Sequence, residues 1–173
     1  MDYDGDRRVL RESWKGSFRQ SEVPVHGGTT VRQGDLLFLD KANKLRDKGT
    51  SNADWYAYPF GDISGSTRTL ESNKALAAKY FIGVAGWHSD YGVTETISVY
   101  TKGLFRYPLR NSRHVKIGQY VIPTGTGVTL YSQHVAVESS TSSYIGLAGD
   151  CGQFKSTVDM VILPRLSGVS PEI

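Results

Sequence analysis

The sequence predicts a mainly β fold: a compact β-barrel or β-sandwich of two duplicated lobes, with one short helix and an extended N-terminal arm. Two observations lead to this prediction. The 173 residues include 19 glycines and 10 tyrosines, and such a chain is rich in turn and strand formers. In addition, residues 80–86 (YFIGVAG) and 144–149 (YIGLAG) are near copies of each other. Each copy is an apolar strand with a glycine at its centre and a turn glycine at its end.

Both copies have matching neighbours in the same order along the chain. The segments upstream are 31–37 (VRQGDLL) and 115–121 (VKIGQYV), and the segments downstream are 96–100 (TISVY) and 157–161 (TVDMV). We therefore predict an internal duplication, with pseudo-repeats at about 23–101 and 104–164, that superposes Gly34 on Gly118 and Gly83 on Gly146. A glycine inside a strand marks a bulge, a bend or a closely passing chain, which indicates packing rather than catalysis.

Residues 1–22 are predicted to form an N-terminal arm. Leu10, Trp14 and Phe18 recur every four residues, which places them on one face if a helix forms. Basic residues lie between them, and exposed apolar side chains on a terminus normally have a partner to dock against. The alternative is a frayed terminus, although disordered tails rarely carry Trp and Phe.

The β-rich part is predicted to span residues 23–164 and to be followed by a short tail at 165–173. Residues 40–49 form a polar loop, and 50–69 form a long connection with its own aromatic residues and one strand. Residues 71–79 (ESNKALAAK) form the short helix. In the second lobe, a strand is predicted to end at Pro108, and the last strand, 157–163, is predicted to be buried on both faces.

Composition limits the classes of protein that the chain can belong to. The net charge is +3, and Cys151 is the single cysteine, so no intrachain disulfide can form and a reducing compartment is compatible. The N-terminus is acidic and lacks the apolar stretch of a signal peptide. The longest apolar run, around residues 80–87, is too short to span a bilayer. We expect a soluble protein that is made in a cytoplasm.

The residue types that usually carry catalysis show no catalytic pattern. His26, His88, His114 and His134 are not paired at metal-ligand spacing. Ser64 lacks the strand-to-helix setting of a nucleophile elbow, and no base is evident beside Cys151. The sequence singles out no pair of carboxylates. We therefore predict a protein that is not an enzyme and that binds no metal or cofactor.

One stretch of the chain is basic. No Asp or Glu occurs between Glu95 and Glu138, and this interval contains Lys102, Arg106, Arg110, Arg113 and Lys116. Such a run is often only a solvated face, but its length indicates a basic surface that meets an acidic one. The aromatic residues here are spaced like core residues, with no stacking platform, so we expect no direct role in nucleic-acid binding.

The order of these motifs resembles that of the small capsid decoration, or cement, proteins of tailed bacteriophages, long annotated only as a phage domain of unknown function. The motifs are Val-x-x-Gly-Asp-x-Leu, the Ala-rich helix that leads into Phe-Ile-Gly-Val-Ala, Thr-Lys-Gly-Leu-Phe, Val-x-x-Gly, Ile-Gly-Leu-Ala and Thr-Val-Asp-x-Val-Ile-Leu-Pro. The similarity covers about residues 22–164. This chain has Gln119 where the family's second half often has an acidic residue, and the arm and residues 47–69 are not clear family features.

The resemblance implies a structural virion protein on the exterior of an icosahedral head. Such proteins commonly form trimers near local threefold axes and brace neighbouring capsid subunits. The expected partners are the major capsid protein of the same phage and further copies of this chain, without a membrane. The expected interface residues are Leu10, Trp14, Phe18, Arg106, Arg110, Arg113 and Lys116.

Two alternatives from other classes stay open at this stage. One is a carbohydrate-binding β module that uses Trp55, Tyr56, Tyr58 and Trp87 as a stacking platform. The other is a hydrolase whose catalytic residues the sequence does not reveal.

Overall fold

The computed structural model describes residues 19–41, 44–46, 54–65 and 67–164. The predicted tail and residues 1–18 of the predicted arm, with Leu10, Trp14 and Phe18, lie outside these described residues. Among the described residues no helix has the length and hydropathy needed to cross a membrane.

The secondary structure is predominantly β. One α-helix, α1 (Leu70–Lys79), and one 3-10 helix (Phe60–Asp62) fall within the described residues. The strands are β1 (Arg19–Val25), β2 (Leu36–Lys41), β3 (Trp55–Pro59), β4 (Phe81–Ala85), β5 (Glu95–Lys102), β6 (Leu104–Val115), β7 (Tyr120–Thr126), β8 (Thr129–Glu138), β9 (Gly146–Ala148) and β10 (Gly152–Ile162).

The strands form two closed five-stranded barrels with the same topology. The first barrel runs β1-β3-β2-β4-β5, and the second runs β6-β8-β7-β9-β10. In each barrel one pair is parallel, β1 with β3 and β6 with β8, and the other neighbouring pairs are antiparallel. The predicted mainly β fold of two duplicated lobes with one short helix is confirmed.

The strand register is also the same in the two barrels. Leu37 pairs with Gly83 in the first barrel, and Val121 pairs with Gly146 in the second. Next to these pairs, Ala85 faces Val99, and Ala148 faces Met160. Gly83 and Gly146 therefore occupy equivalent positions, as the repeat predicted.

The turn that begins the second strand of each barrel repeats in detail. Gly34 and Gly118 adopt positive φ angles of 92° and 81°, a conformation that glycine adopts without steric cost. The Gly34 N–H donates to the carbonyl of Ala85 at 2.8 Å, and the Gly118 N–H donates to the carbonyl of Ala148 at 2.8 Å. These turns lock each Ile-Gly strand to the strand beside it.

The central glycines are required because another strand passes close to them. A Cβ at Gly83 would lie 2.1 Å from the carbonyl oxygen of Tyr100, and a Cβ at Gly146 would lie 2.5 Å from that of Val161. Real Cβ atoms do not approach oxygen so closely. The predicted packing role of both glycines agrees with this geometry.

Three local predictions need correction. Strand β1 begins at Arg19, so the last four residues of the predicted arm pair with β5. Pro108 lies inside β6 rather than at its end. On the β8 side the single register pair of β6 is Leu109 with Val135, and on the β10 side Pro108 pairs with Thr157 next to a register shift. A proline at such an irregularity costs few hydrogen bonds. Strand β10 is not buried on both faces, because its inward residues alternate with outward ones.

Helix α1 lies against the second barrel. Thr69 and Ser72 form a capping box at its N-terminus, which satisfies backbone donors that a helix leaves unpaired. Ala77 and Ala78 are buried, and the Asn73 side chain donates to the carbonyl of Val128 at 2.7 Å. The helix predicted at 71–79 is confirmed, and it begins one residue earlier.

The core has two parts. A small cluster fills the first barrel, and it includes Val25, Leu37, Ile82 and Val99. A larger cluster fills the second barrel and extends over the outer surface of the first, where it includes Phe38, Phe60 and Phe81. Because apolar side chains of both lobes belong to this larger cluster, the lobes pack as one body.

Candidate functional site

The predicted basic stretch begins at Lys102, the last residue of β5, and continues along β6 and the turn that follows it. Arg106 forms a two-pronged ion pair with Asp159 of the neighbouring strand β10, with Nε 2.6 Å from Oδ1 and Nη2 3.0 Å from Oδ2. Asp159 lies 53 residues later in the chain, so a count of charges along β6 misses it. Arg106 is therefore neutralised by its neighbour rather than presented as a free positive charge.

The other basic residues of this stretch differ in how they are held. Arg110 donates to the carbonyl of Gly125, and Arg113 donates to the carbonyl of Val137 at 3.0 Å. Both side chains remain exposed, as does Lys116. A guanidinium bonded to a carbonyl keeps its full charge, so Arg110, Arg113 and Lys116 remain positive charges on the surface of the second barrel, with Arg110 and Lys116 at opposite ends of β7.

Two exposed apolar residues lie beside these charges, and the sequence analysis missed both. Ile117 is 69% exposed, and Phe154 is 84% exposed with a positive φ of 53°. Phe154 lies next to Lys155, which pairs with Arg113 across the sheet. We call Arg113, Lys116, Ile117 and Phe154 the basic–apolar face. An isoleucine in a turn was the available sequence signal, because turns are normally polar.

The equivalent turn of the first barrel is used inside the molecule. Asp35 accepts hydrogen bonds from the backbone N–H of Arg32 at 2.8 Å and from the side chain of Gln133 at 3.0 Å. The buried hydroxyl of Tyr107 donates to the carbonyl of Gly34 at 2.8 Å. Burial raises the pKa of Tyr107 well above its usual value, and the nearby Asp35 raises it further. Tyr107 therefore stays protonated as a donor between the lobes.

A cleft of about 690 Å³ lies beside this contact. Its walls are residues 30–32, 35, 59, 61–62, 88 and 90 of the first lobe and residues 130–134 of β8. His88 and His134 both line it, together with Asp62 and Asp90. Among the described residues, no group of three or more His, Cys, Asp or Glu side chains is placed to hold a metal ion.

The aromatic platform of the carbohydrate-binding alternative is not assembled as predicted. Tyr58 is buried, with the guanidinium carbon of Arg46 4.0 Å from its ring centroid, so Tyr58 cannot stack on a ligand. Trp55 lies on β3 with the amine of Lys41 5.9 Å from its ring centroid. Trp87 is exposed, and it lies on the loop between β4 and β5.

Comparison with known proteins adds no further identification. No family model, no curated protein and no solved structure matches this chain.

Proposed function

We propose that this protein is a structural component of a tailed-phage virion that binds the outside of the icosahedral head and cements neighbouring capsid subunits. The observation that supports this best is the position of the motifs on which the resemblance rests. The Val-x-x-Gly motifs lead into β2 and β7, and the Ile-Gly motifs are in β4 and at the start of β9. The shared motifs thus form the scaffold of both barrels.

The basic–apolar face is the proposed contact with the capsid. Burying an Ile or Phe side chain contributes about 1.5–3 kcal/mol, and Ile117 and Phe154 are both exposed in the single chain. The neighbouring Arg113 and Lys116 steer the face towards an acidic patch and disfavour basic surfaces. The partner is an acidic patch on the major capsid protein of the same phage.

The proposed assembly is a homotrimer on the head, in which the arm docks onto a neighbouring subunit. Tethering an arm to a body that is already bound raises its effective concentration to the millimolar range, so that weak contacts are occupied. Light scattering at tens of micromolar, with and without heads, measures the assembly. A single-chain mass of 19.1 kDa in solution, together with isolated copies on the head, contradicts the trimer.

Binding to heads is the direct test. Heads assembled from the major capsid protein encoded in the same genome are mixed with the purified full chain, sedimented and heated. We expect the chain to sediment with the heads at a fixed ratio and to raise the temperature at which they rupture. Absence of co-sedimentation at both 50 mM and 300 mM salt overturns the proposed function.

A matched pair of variants tests the contact surface. Phe154→Ser removes an exposed apolar side chain from the basic–apolar face, and Val93→Ser does the same at the corresponding place before β5 in the first barrel. We expect Phe154→Ser to weaken head binding at least tenfold and Val93→Ser to leave it unchanged. Equal effects of the two substitutions contradict this surface.

A truncation tests the arm. Because β1 begins at Arg19, deletion of residues 1–18 spares every register pair between β1 and β5. We expect the shortened chain to fold and to bind heads, and the decorated heads to rupture at a lower temperature than those carrying the full chain. If the shortened chain protects heads equally well, the arm has no cementing role.

A further inference from the structure

The cleft between the lobes has the size and rigidity of a ligand site. Its volume of about 690 Å³ falls within the roughly 300–1,000 Å³ of typical small-ligand sites. The Gln133 side chain bridges the lobes through Asp35, and the backbone N–H of Gly61 donates to Ser132 Oγ at 2.9 Å. Because these contacts hold its walls in the unliganded chain, binding requires little ordering.

Several polar side chains point to a ligand rich in hydroxyl groups. No hydrogen bond of the His88, Asp90 or His134 side chains is seen within the described part of the chain, although all three line the cleft. A carboxylate accepts hydrogen bonds, and a neutral imidazole both donates and accepts. The hydroxyl groups of a ligand also donate and accept, so they can pair with a carboxylate and with either nitrogen of an imidazole.

The charge of the cleft selects against anions. Asp35, Asp62 and Asp90 line it, and Arg32 is the single Lys or Arg side chain among its lining residues. Asp62 forms an ion pair with the buried Arg46 at 3.4 Å, so Asp35 and Asp90 against Arg32 leave a net negative charge that disfavours phosphates, nucleic acids and acidic sugars. A neutral ligand enters this field without that cost.

Two exposed aromatic rings, Trp87 and Tyr91, lie beside the cleft without lining it, next in sequence to the lining residues His88 and Asp90. Trp87 is 57% exposed and Tyr91 is 75% exposed, and both belong to the loop that contributes His88 and Asp90. The Trp87 and His88 ring centroids lie 5.1 Å apart. On the opposite wall the Tyr131 and His134 centroids lie 5.6 Å apart. Aromatic rings bind the flat C–H face of a sugar ring while polar groups take its hydroxyls.

We propose that the cleft between the lobes binds a neutral oligosaccharide, with Asp90, His88 and His134 bonded to its hydroxyls and with Trp87, which lies beside the cleft against His88, stacked on one sugar ring. This site differs from the platform of Trp55, Tyr56, Tyr58 and Trp87 expected from the sequence, with which it shares Trp87. It does not rest on the proposed role in the virion, because it shares no residue with the basic–apolar face.

The test is titration of the full, ¹⁵N-labelled chain with maltohexaose, cellohexaose, mannohexaose and fully N-acetylated chitohexaose, followed by NMR. We expect at least one of these to shift the Gln133, His88 and Trp87 resonances, with saturation below about 10 mM. If none of the four shifts these resonances at 10 mM, the proposal is overturned. A heparin hexasaccharide serves as the anionic probe, and its tighter binding in the cleft overturns the assignment of a neutral ligand.

Variants separate this site from the head-binding surface. Trp87→Ala and Asp90→Ala alter exposed side chains, so the fold is retained, as the unchanged resonances of the second barrel verify. Each is expected to weaken oligosaccharide binding at least tenfold and to leave head binding unchanged. Phe154→Ala, which removes another exposed aromatic ring, is expected to leave oligosaccharide binding unchanged. Wild-type affinity in both cleft variants, or equal loss in Phe154→Ala, overturns the proposal.

Discussion

The two barrels contain the same turn in two environments. In the first barrel, residues 32–35 pack against the second lobe, and Asp35 is nearly fully buried. In the second barrel, residues 116–119 make the same local hydrogen bonds, with Gln119 Oε1 accepting from the Lys116 N–H at 2.8 Å, but Ile117 faces solvent. One duplicated element thus holds the molecule together in one copy and is available to a partner in the other.

The prediction with the largest expected effect concerns the central glycines, because the two copies differ there in backbone strain. Gly83 has a φ of 145°, whereas Gly146 is not among the glycines with positive φ. Gly83→Ala combines strain with a backbone clash and is expected to lower the free energy of unfolding by about 4 kcal/mol. Gly146→Ala has the clash alone and is expected to lower it by about 2 kcal/mol. Urea unfolding measures both.

Gly92→Ala is the control for strain without a clash. Gly92 has a φ of 92°, and a Cβ there would meet nothing within 4 Å. We expect a loss of about 1 kcal/mol. If Gly83→Ala costs no more than Gly92→Ala, the close approach of the Tyr100 carbonyl has no energetic importance.

The second prediction compares the two turns directly. Asp35→Ala removes both the turn hydrogen bond and the bond between the lobes, so it is expected to cost about 2–3 kcal/mol. Gln119→Ala removes only the exposed turn bond and is expected to cost about 0.5–1 kcal/mol. In a double-mutant cycle Gln133→Ala should couple to Asp35→Ala. Absence of coupling with Gln133, or equal costs for the two turns, would remove the asymmetry between the barrels.

The sequence was sufficient to predict the strands of both barrels because each copy of the repeat consists of short motifs that are close together in the chain. The spacing between Gly83 and the strand at 96–100 matches the spacing between Gly146 and the strand at 157–161 closely enough to predict which strands correspond, and the register agrees. The turn glycines were predictable for the same reason, since a Gly at positive φ leaves a recognisable Val-x-x-Gly pattern.

The candidate surfaces were less predictable because they depend on contacts between distant residues. Tyr107 reaches Gly34 across 73 residues, and Gln133 reaches Asp35 across 98. Nothing in the two similar turn sequences indicates which copy is buried. Pro108 was misassigned for a related reason: whether a proline interrupts a strand depends on how far the neighbouring strand pairs alongside it.

The third prediction concerns buried polar residues at corresponding places in the two barrels. In the first barrel Asp40 follows Leu39, which faces Ala57. In the second barrel Thr124 follows Pro123, which faces Val135. The two positions correspond because Ala57 and Val135 each form the parallel bridge of their barrel. Asp40 accepts from the backbone N–H groups of Lys44 and Leu45, each at 3.1 Å. Burial raises the pKa of Asp40 above the usual value of 3.8, although these hydrogen bonds oppose the shift.

The sign of the resulting pH dependence follows from linkage. With a raised pKa, folded Asp40 keeps its proton at pH values where the unfolded chain has lost it, so its contribution to stability falls as pH rises above 3.8. Asp40→Asn removes that dependence and one acceptor, which alone costs about 1 kcal/mol. Urea unfolding from pH 3.5 to 7 should show the wild type losing stability relative to the variant as pH rises. A constant difference between the two chains would mean that Asp40 is not desolvated in the folded chain.

The prediction with the smallest expected effect compares two cross-strand side-chain pairs at corresponding positions on the outside of the barrels. Arg106 pairs with Asp159 across β6 and β10, and at the equivalent position Glu22 Oε1 accepts from Ser98 Oγ at 2.8 Å across β1 and β5. Arg106 is 40% exposed in its side chain, so solvent screens the ion pair and Arg106→Ala is expected to cost about 0.5–1 kcal/mol. Glu22→Ala breaks a single exposed hydrogen bond and is expected to change stability by less than about 0.5 kcal/mol.

The salt dependence of the stability cost distinguishes the two pairs more clearly than the magnitude of that cost does. An ion pair weakens as the screening length falls from about 10 Å at 0.1 M salt to about 3 Å at 1 M, whereas the bond between Glu22 and the neutral Ser98 hydroxyl is less sensitive. The cost of Arg106→Ala should therefore shrink between 0.1 and 1 M NaCl, while the cost of Glu22→Ala stays nearly constant. If the cost of Arg106→Ala is unaffected by NaCl, Arg106 stabilises the fold through the packing of its side chain rather than through its charge.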